Sequence, residues 1–137
     1  MLNSNINHKI YEGLSITYEK VTTAADSYIS NSTSIDSLLS SPSLLSTIID
    51  VSCKMLDKLL PDEYITVGRN LELSHYHPTL IGEKISIVIK VVKVDKQRVH
   101  LEFVGSDYLG EFCKGKYEKV IVNRNTIIES AVKRAKL

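Results

Sequence analysis

Two of the four histidines in this chain, His75 and His77, stand two residues apart in the stretch VGRNLELSHYHPTLIGEK, Val67 to Lys84. Imidazoles at that spacing on a strand share one face. They could hold a metal, one could be a catalytic base beside a bystander, or both could be surface residues. A metal pair needs a third and usually a fourth ligand. The remaining histidines, His8 and His100, bring no cysteine or carboxylate cluster with them, and Cys53 and Cys113 are isolated, without a CxxC pair. The sequence therefore predicts no metal site. A lone base asks less of its surroundings, because histidine is the side chain whose ordinary pKa lies near neutrality.

The elements that must position these groups follow from periodicity. GLSITYEKV alternates Leu14, Ile16 and Tyr18 with polar residues, the period of a half-buried strand. A serine-rich segment over 27–41 comes next, whose composition predicts a surface loop or lid with short helical turns rather than a core element. SPSLLSTIIDVSCKMLDKLLPDE predicts a helix over 42–60, with Ser41 as N-cap and Pro42 at the first helical position. Leu44, Leu45, Ile48, Ile49, Ser52, Met55, Leu56, Leu59 and Leu60 form a wide stripe along it. At 1.5 Å per residue the helix is about 28 Å long, enough to cross a small domain; Pro61 ends it. Everything after reads as strands: YITVGRNLELSHY, KISIVIKVVKV, RVHLEFVG and EFCKGKYEKVIV, with turns at Asp95-Lys96-Gln97 and Ser106-Asp107. NTIIESAVKRAKL closes the chain as a short helix over 124–137, its cations in the last turn where the dipole favours them.

Composition narrows the class. The chain has 137 residues, 43% hydrophobic and 24% charged, which fits a single globular domain over 1–137. Seventeen basic against 16 acidic residues leave a net charge of +1, so no strong field predicts a nucleic-acid or membrane partner. No apolar run approaches the ~20 residues a membrane span needs. The start, MLNSNINHKIYEG, lacks the apolar stretch of a secretory signal. A cytoplasmic protein with two buried free thiols is the expectation, and Asn31-Ser32-Thr33 is read as a chance glycosylation pattern. One helix wrapped by a five-stranded antiparallel sheet is an α+β two-layer solution, the outline of the hot dog fold. Such a sheet leaves an edge of unpaired backbone groups, which predicts a homodimer.

Five segments carry a family resemblance: Thr23-Ala24, SSPSLL, LLPDEYITVG, LSHYHPTLIGEKI and GKYEKVIV, aligning without gaps from Ser40 to Gly82. The chain resembles the hot dog thioesterases related to the fluoroacetyl-coenzyme A thioesterase. That resemblance implies hydrolysis of an acyl-coenzyme A or other acyl thioester by a homodimer with active sites at the subunit interface, and no cofactor. It places the family's histidine on His75, its hydroxyl residue (a threonine before proline) on Ser41, and the glycine whose amide binds the thioester carbonyl on Gly68. The family's glutamate falls on Ile49. The nearest carboxylate, Asp50, is rotated about 100° around the helix onto the polar face with Ser46, Lys54 and Asp57.

Each residue also has a plainer reading. Ser41 could simply cap the helix, Gly68 could serve a bulge or close packing, and Asp50 could be a solvated helix residue. His75 is the candidate base, His77 the bystander. Two further readings stay open: a non-catalytic domain that binds acyl-coenzyme A or is a structural dimer, as Ile49 suggests, and hydration of enoyl thioesters, which pairs histidine with an aspartate at spacings absent here.

Overall fold

The structure, a computed structural model, describes residues 6–29 and 34–136; the Asn31-Ser32-Thr33 pattern lies outside them. Strand β1 (Ser15–Val21) is followed by a separate hairpin of β2 (Ser27–Ile29) and β3 (Ser34–Leu39), then by helix α1 (Ser41–Leu56). Four long strands come next: β4 (Tyr64–His75), β5 (Lys84–Asp95), β6 (Arg98–Asp107) and β7 (Gly110–Asn123). With β1 they form the main sheet, in the order β1-β5-β6-β7-β4 and with every pairing antiparallel. Helix α1 packs across this sheet, and a short helix α2 (Arg124–Ala135) follows β7. This is the α+β hot dog arrangement the sequence predicts. Among the described residues no helix is long and apolar enough to cross a membrane.

Helix α1 begins one residue earlier than its sequence suggests. Ser40, in extended conformation, is the N-cap and its Oγ accepts the Ser43 N–H at 3.1 Å. Ser41 is therefore the first helical residue and Pro42 the second, which proline tolerates because the first-turn N–H groups lack helical partners anyway. Leu44, Ile48, Val51 and Met55 recur at three- and four-residue steps and are buried, as is Leu56 beside them. Each contributes on the order of 1.5–3 kcal/mol relative to exposure, far more than intrinsic propensity supplies to a helix this short. Ile49, assigned to the stripe from sequence, is instead 40% exposed. Asp57 ends α1 and ties it to the next strand, its Oδ1 accepting the Thr66 N–H at 3.1 Å and hydroxyl at 2.6 Å.

The sheet follows its period-two pattern closely. Ile85, Ile87, Ile89 and Val91 on β5, and Val99, Leu101 and Phe103 on β6, are buried against α1. Their neighbours face outward, and one cross-strand row, Lys90–Glu102–Lys116–Glu72, alternates in sign across four strands, a favourable arrangement for a solvated face. The β6–β7 turn is formed by Tyr108 and Leu109, two residues later than expected. Strands β1 and β4 are the edges, and β4 bulges between Gly68 and Asn70.

The serine-rich segment departs from the expectation of helical turns. It forms the β2–β3 hairpin, and Leu39 joins the core at 4% exposure. The backbone decides this: Leu39 N–H donates to Thr79 O at 2.9 Å, and Ile81 N–H to Ser37 O at 2.9 Å. Strand β3 thus zips onto the segment that follows His77-Pro78, a long-range partner that composition does not reveal.

Candidate active site

Because Ser40 does the capping, the hydroxyl of Ser41 is free of that duty. It meets the imidazole of His75, with Ser41 Oγ and His75 Nδ1 2.8 Å apart. Two elements distant in sequence make the contact, the first turn of α1 and the last residue of β4. Strand register fixes the imidazole: His75 pairs with Cys113 on β7, and its ring stands edge-on to Phe112 with centroids 5.8 Å apart. Immediately beyond, the N–H groups of Tyr76 and His77 both donate to Phe112 O, at 3.0 and 3.3 Å. The chain leaves the strand there, so the two-residue alternation that would align His77 with His75 does not continue. His77 is exposed, its ring edge-on to Tyr76.

Burial lowers the His75 pKa below its ordinary 6.5, with the His77 backbone pulling weakly the other way. The ring is thus largely neutral near pH 7 and has a lone pair available. In the tautomer where Ser41 O–H donates to Nδ1, the ring proton sits on Nε2, a buried atom with no hydrogen-bond partner among the described residues. The pair lies in a pocket of ≈ 270 Å³ whose other walls include Ile35, Leu38, Leu39 and Pro78. Larger hollows of ≈ 300, ≈ 360 and ≈ 450 Å³ open elsewhere on the chain; among the described residues none of them holds a hydrogen-bonded hydroxyl–imidazole pair such as Ser41 and His75.

The start of α1 is held by a residue the sequence reading did not single out. Asp26, nearly buried, accepts Lys20 Nζ at 2.7 Å, Ser43 Oγ at 2.7 Å and the Thr23 N–H at 2.9 Å. Its backbone carbonyl takes the Ser40 N–H at 2.8 Å. Burial alone would raise this carboxyl's pKa, but the bonds from Lys20, Ser43 and Thr23 outweigh it and leave the group lowered. The local signal was available: Thr23 and Asp26 have capping-box spacing and form one.

The other expected residues lie elsewhere within the chain. Gly68 sits seven residues back along β4, about 23 Å from His75 at 3.3 Å per residue. It is exposed, and a Cβ placed there would stand 2.6 Å from the Tyr117 hydroxyl, so close packing already accounts for a glycine. Asp50 lies on the exposed face of α1, 3.0 Å from Lys54 in an i,i+4 pair. The structure brings Ser41 and His75 together and does not bring Asp50 or Gly68 of the same chain to them. Among the described residues no group of three metal-binding side chains occurs.

The decisive comparison is with protein families. A profile described as "FlK: Fluoroacetyl-CoA-specific thioesterase" matches residues 20–125. The chain belongs to this family. A hot-dog-like protein from Thermanaerovibrio acidaminovorans superposes with a TM-score of 0.83 at 22% identity, covering 90% of this chain and 91% of that one. A thioesterase superfamily member from Thermus thermophilus gives 0.82 at 20% identity, covering 93% and 94%. The fluoroacetyl-CoA thioesterase FlK gives 0.81 at 11% identity, covering 91% and 97%. At such identities these structures establish the shared fold. Comparison with curated protein sequences finds no match. Family membership assigns the chain to acyl-CoA thioesterase chemistry in general.

Proposed function

We propose that this protein hydrolyses a small acyl-coenzyme A thioester as a homodimer, with Ser41 and His75 as its catalytic pair. The observation that carries the reading is the 2.8 Å contact between Ser41 Oγ and His75 Nδ1, made by a serine released from helix capping. In the reaction Nδ1 takes a proton as the hydroxyl of Ser41, or of a water that it holds, attacks the thioester carbonyl. The C–S bond then breaks, and the protonated imidazole returns its proton to the departing thiolate. Where Ser41 was the nucleophile, a water deprotonated by the same nitrogen then attacks the acyl-serine, releasing the acid and restoring the hydroxyl. The helix N-terminus beside Ser41 carries partial positive charge that favours the developing oxyanion. A pocket of ≈ 270 Å³ with aliphatic walls lies at the small end of ligand sites, which supports a short acyl group.

The dimer enters through strand geometry. One chain cannot offer Gly68 N–H and His75 to the same carbonyl across about 23 Å of strand. Two β4 edges paired antiparallel, with their two-fold between Leu71 and Glu72, would set Gly68 opposite the partner's His75 and cover both edges at once. Asp50 has a route to an imidazole only across such an interface.

Ile49 at the family's glutamate position favours a second reading, a domain that binds acyl-coenzyme A without cleaving it. A thiol-release screen over short, medium and aromatic acyl-coenzyme A esters separates the two. Expected are turnover of short esters, a ~10²–10⁴-fold loss in His75→Ala and little change in His77→Ala. Tight binding without thiol release by the wild type establishes the second reading instead. Light scattering at micromolar concentration should return twice the chain mass; a monomer removes the interface from the argument.

A further inference from the structure

The inward face of β7 carries one residue out of keeping with its core. Lys119 has 0% exposure, yet no carboxylate among the described residues lies within ion-pair distance of it. Its Nζ donates to Ser52 Oγ at 3.3 Å and to Cys53 Sγ at 3.1 Å, and lies 5.3 Å from the Tyr117 ring centroid. A lysine withdrawn from water normally takes a counter-charge with it; here the group offered is a thiol. Cys53 is only half-buried on α1, within reach of a small solute, whereas Cys113 is fully buried. Burial, foremost, pushes the Cys113 thiol up to about 11, so the chain contains its own unreactive control.

We propose that Cys53 and Lys119 form a peroxide-responsive pair that closes a covalent Sγ–Nζ bond, a sulfenamide, between helix α1 and strand β7. In the first step the Cys53 sulfur attacks hydrogen peroxide. An S–O bond forms, the O–O bond breaks, one water leaves, and sulfur is oxidised by two electrons to the sulfenic acid. In the second step Nζ attacks that sulfur. The S–N bond forms, the S–O bond breaks, and the departing hydroxide leaves as a second water with a proton from nitrogen. One peroxide is consumed, two waters are released, and the protein loses two hydrogens. Sulfenic acids condense with a backbone nitrogen in this way; here the nitrogen is a side-chain amine already in contact with the sulfur, at 3.1 Å. A reducing thiol reverses the bond: it attacks the Cys53 sulfur, the S–N bond breaks with its proton passing to the amine, and a second thiol resolves the mixed disulfide to restore Cys53. The proposal is independent of the thioesterase reading.

The test uses the full chain, treated with hydrogen peroxide, alkylated without reductant, digested with trypsin and weighed by mass spectrometry. The peptide Val21–Lys54 should appear joined to Tyr117–Arg124, lighter by two hydrogens than their sum, uncut after Lys119 and released by dithiothreitol. Cys113 should remain a thiol. A linked product that retains an oxygen overturns the direct S–N bond. Recovery of Cys53 unreacted, as a sulfinic acid or as an interchain disulfide, with normal cleavage after Lys119, overturns the pair altogether. In Lys119→Met, Cys53 should proceed to the sulfinic acid; the wild-type result decides the matter even where that variant does not fold.

Discussion

Adjacent serines at the start of α1 allow catalysis and folding to be separated by one pair of substitutions. Ser40→Ala removes the side chain that accepts the Ser43 N–H at 3.1 Å, and loss of such a cap costs about 0.5–2 kcal/mol. Ser41→Ala removes a single 2.8 Å hydrogen bond to a half-buried imidazole, on the order of 0.5–1.5 kcal/mol, and alanine suits the first helical turn. The two variants should therefore lose similar stability, about 1 kcal/mol, or roughly 3–6 °C in Tm for a chain of this size. Their rates should diverge sharply. Ser41→Ala takes away the hydroxyl in contact with the base, and thiol release from a short acyl-coenzyme A should fall ~10²–10⁴-fold. Ser40→Ala leaves that contact in place and should stay within roughly threefold of wild type, a barrier change of about 0.6 kcal/mol. Thermal melts and thiol release on the same preparations read both quantities. A Ser41→Ala protein that keeps more than about a tenth of the wild-type rate, a barrier change of only ~1.4 kcal/mol, refutes the role of Ser41. Equal losses of rate in both variants refute the separation.

Three further outcomes follow from the geometry. Folding lowers the His75 pKa from 6.5, so below that pH the unfolded chain binds more protons than the folded one and stability falls on acidification. The acid limb of kcat/KM should show an apparent pKa below 6.5, and the acid loss of stability in chemical denaturation should shrink in His75→Gln; a limb above 6.5 contradicts the burial argument. Gly68→Ala forces a Cβ to within 2.6 Å of the Tyr117 hydroxyl, an overpacking cost of about 1–3 kcal/mol. Adding Tyr117→Phe should recover part of it in a double-mutant cycle, whereas strict additivity rules out that contact. Asp50→Asn disrupts only an exposed pair with Lys54 within one chain, and turnover should be unchanged; a large loss of rate instead assigns Asp50 as an acid acting across the subunit interface.

How far the sequence led depends on the range of each interaction. Ile85, Ile87, Ile89 and Val91, and equally Val99, Leu101 and Phe103, declare their strand and its buried face through neighbours two residues away. The stripe from Leu44 to Leu56 does the same at helical spacing. At the helix start three serines in the run 40–43 offer equivalent local chemistry, and Ser40 becomes the cap because Asp26 binds its N–H and the Ser43 hydroxyl. Asp26 lies on the far side of the hairpin, so no window over the helix alone could choose between Ser40 and Ser41. The hairpin itself has the composition of a loop, because serine content masks strand pairing with residues 79–81.

Taken alone, the sequence determined the α+β class, the long apolar helix and the order of the main-sheet strands, because periodicity is written locally; His75 and Ser41 became candidates together through the family resemblance. The tertiary structure decided which candidates meet. Strand register placed His75 at the end of β4, helix capping freed Ser41, and the two came within 2.8 Å, although 34 residues separate them. It equally set Asp50 on the solvent face with Lys54 and buried Lys119 against Cys53. Contacts of that kind depend on how the helix is rotated and docked on the sheet, and that is fixed by the burial of the whole core.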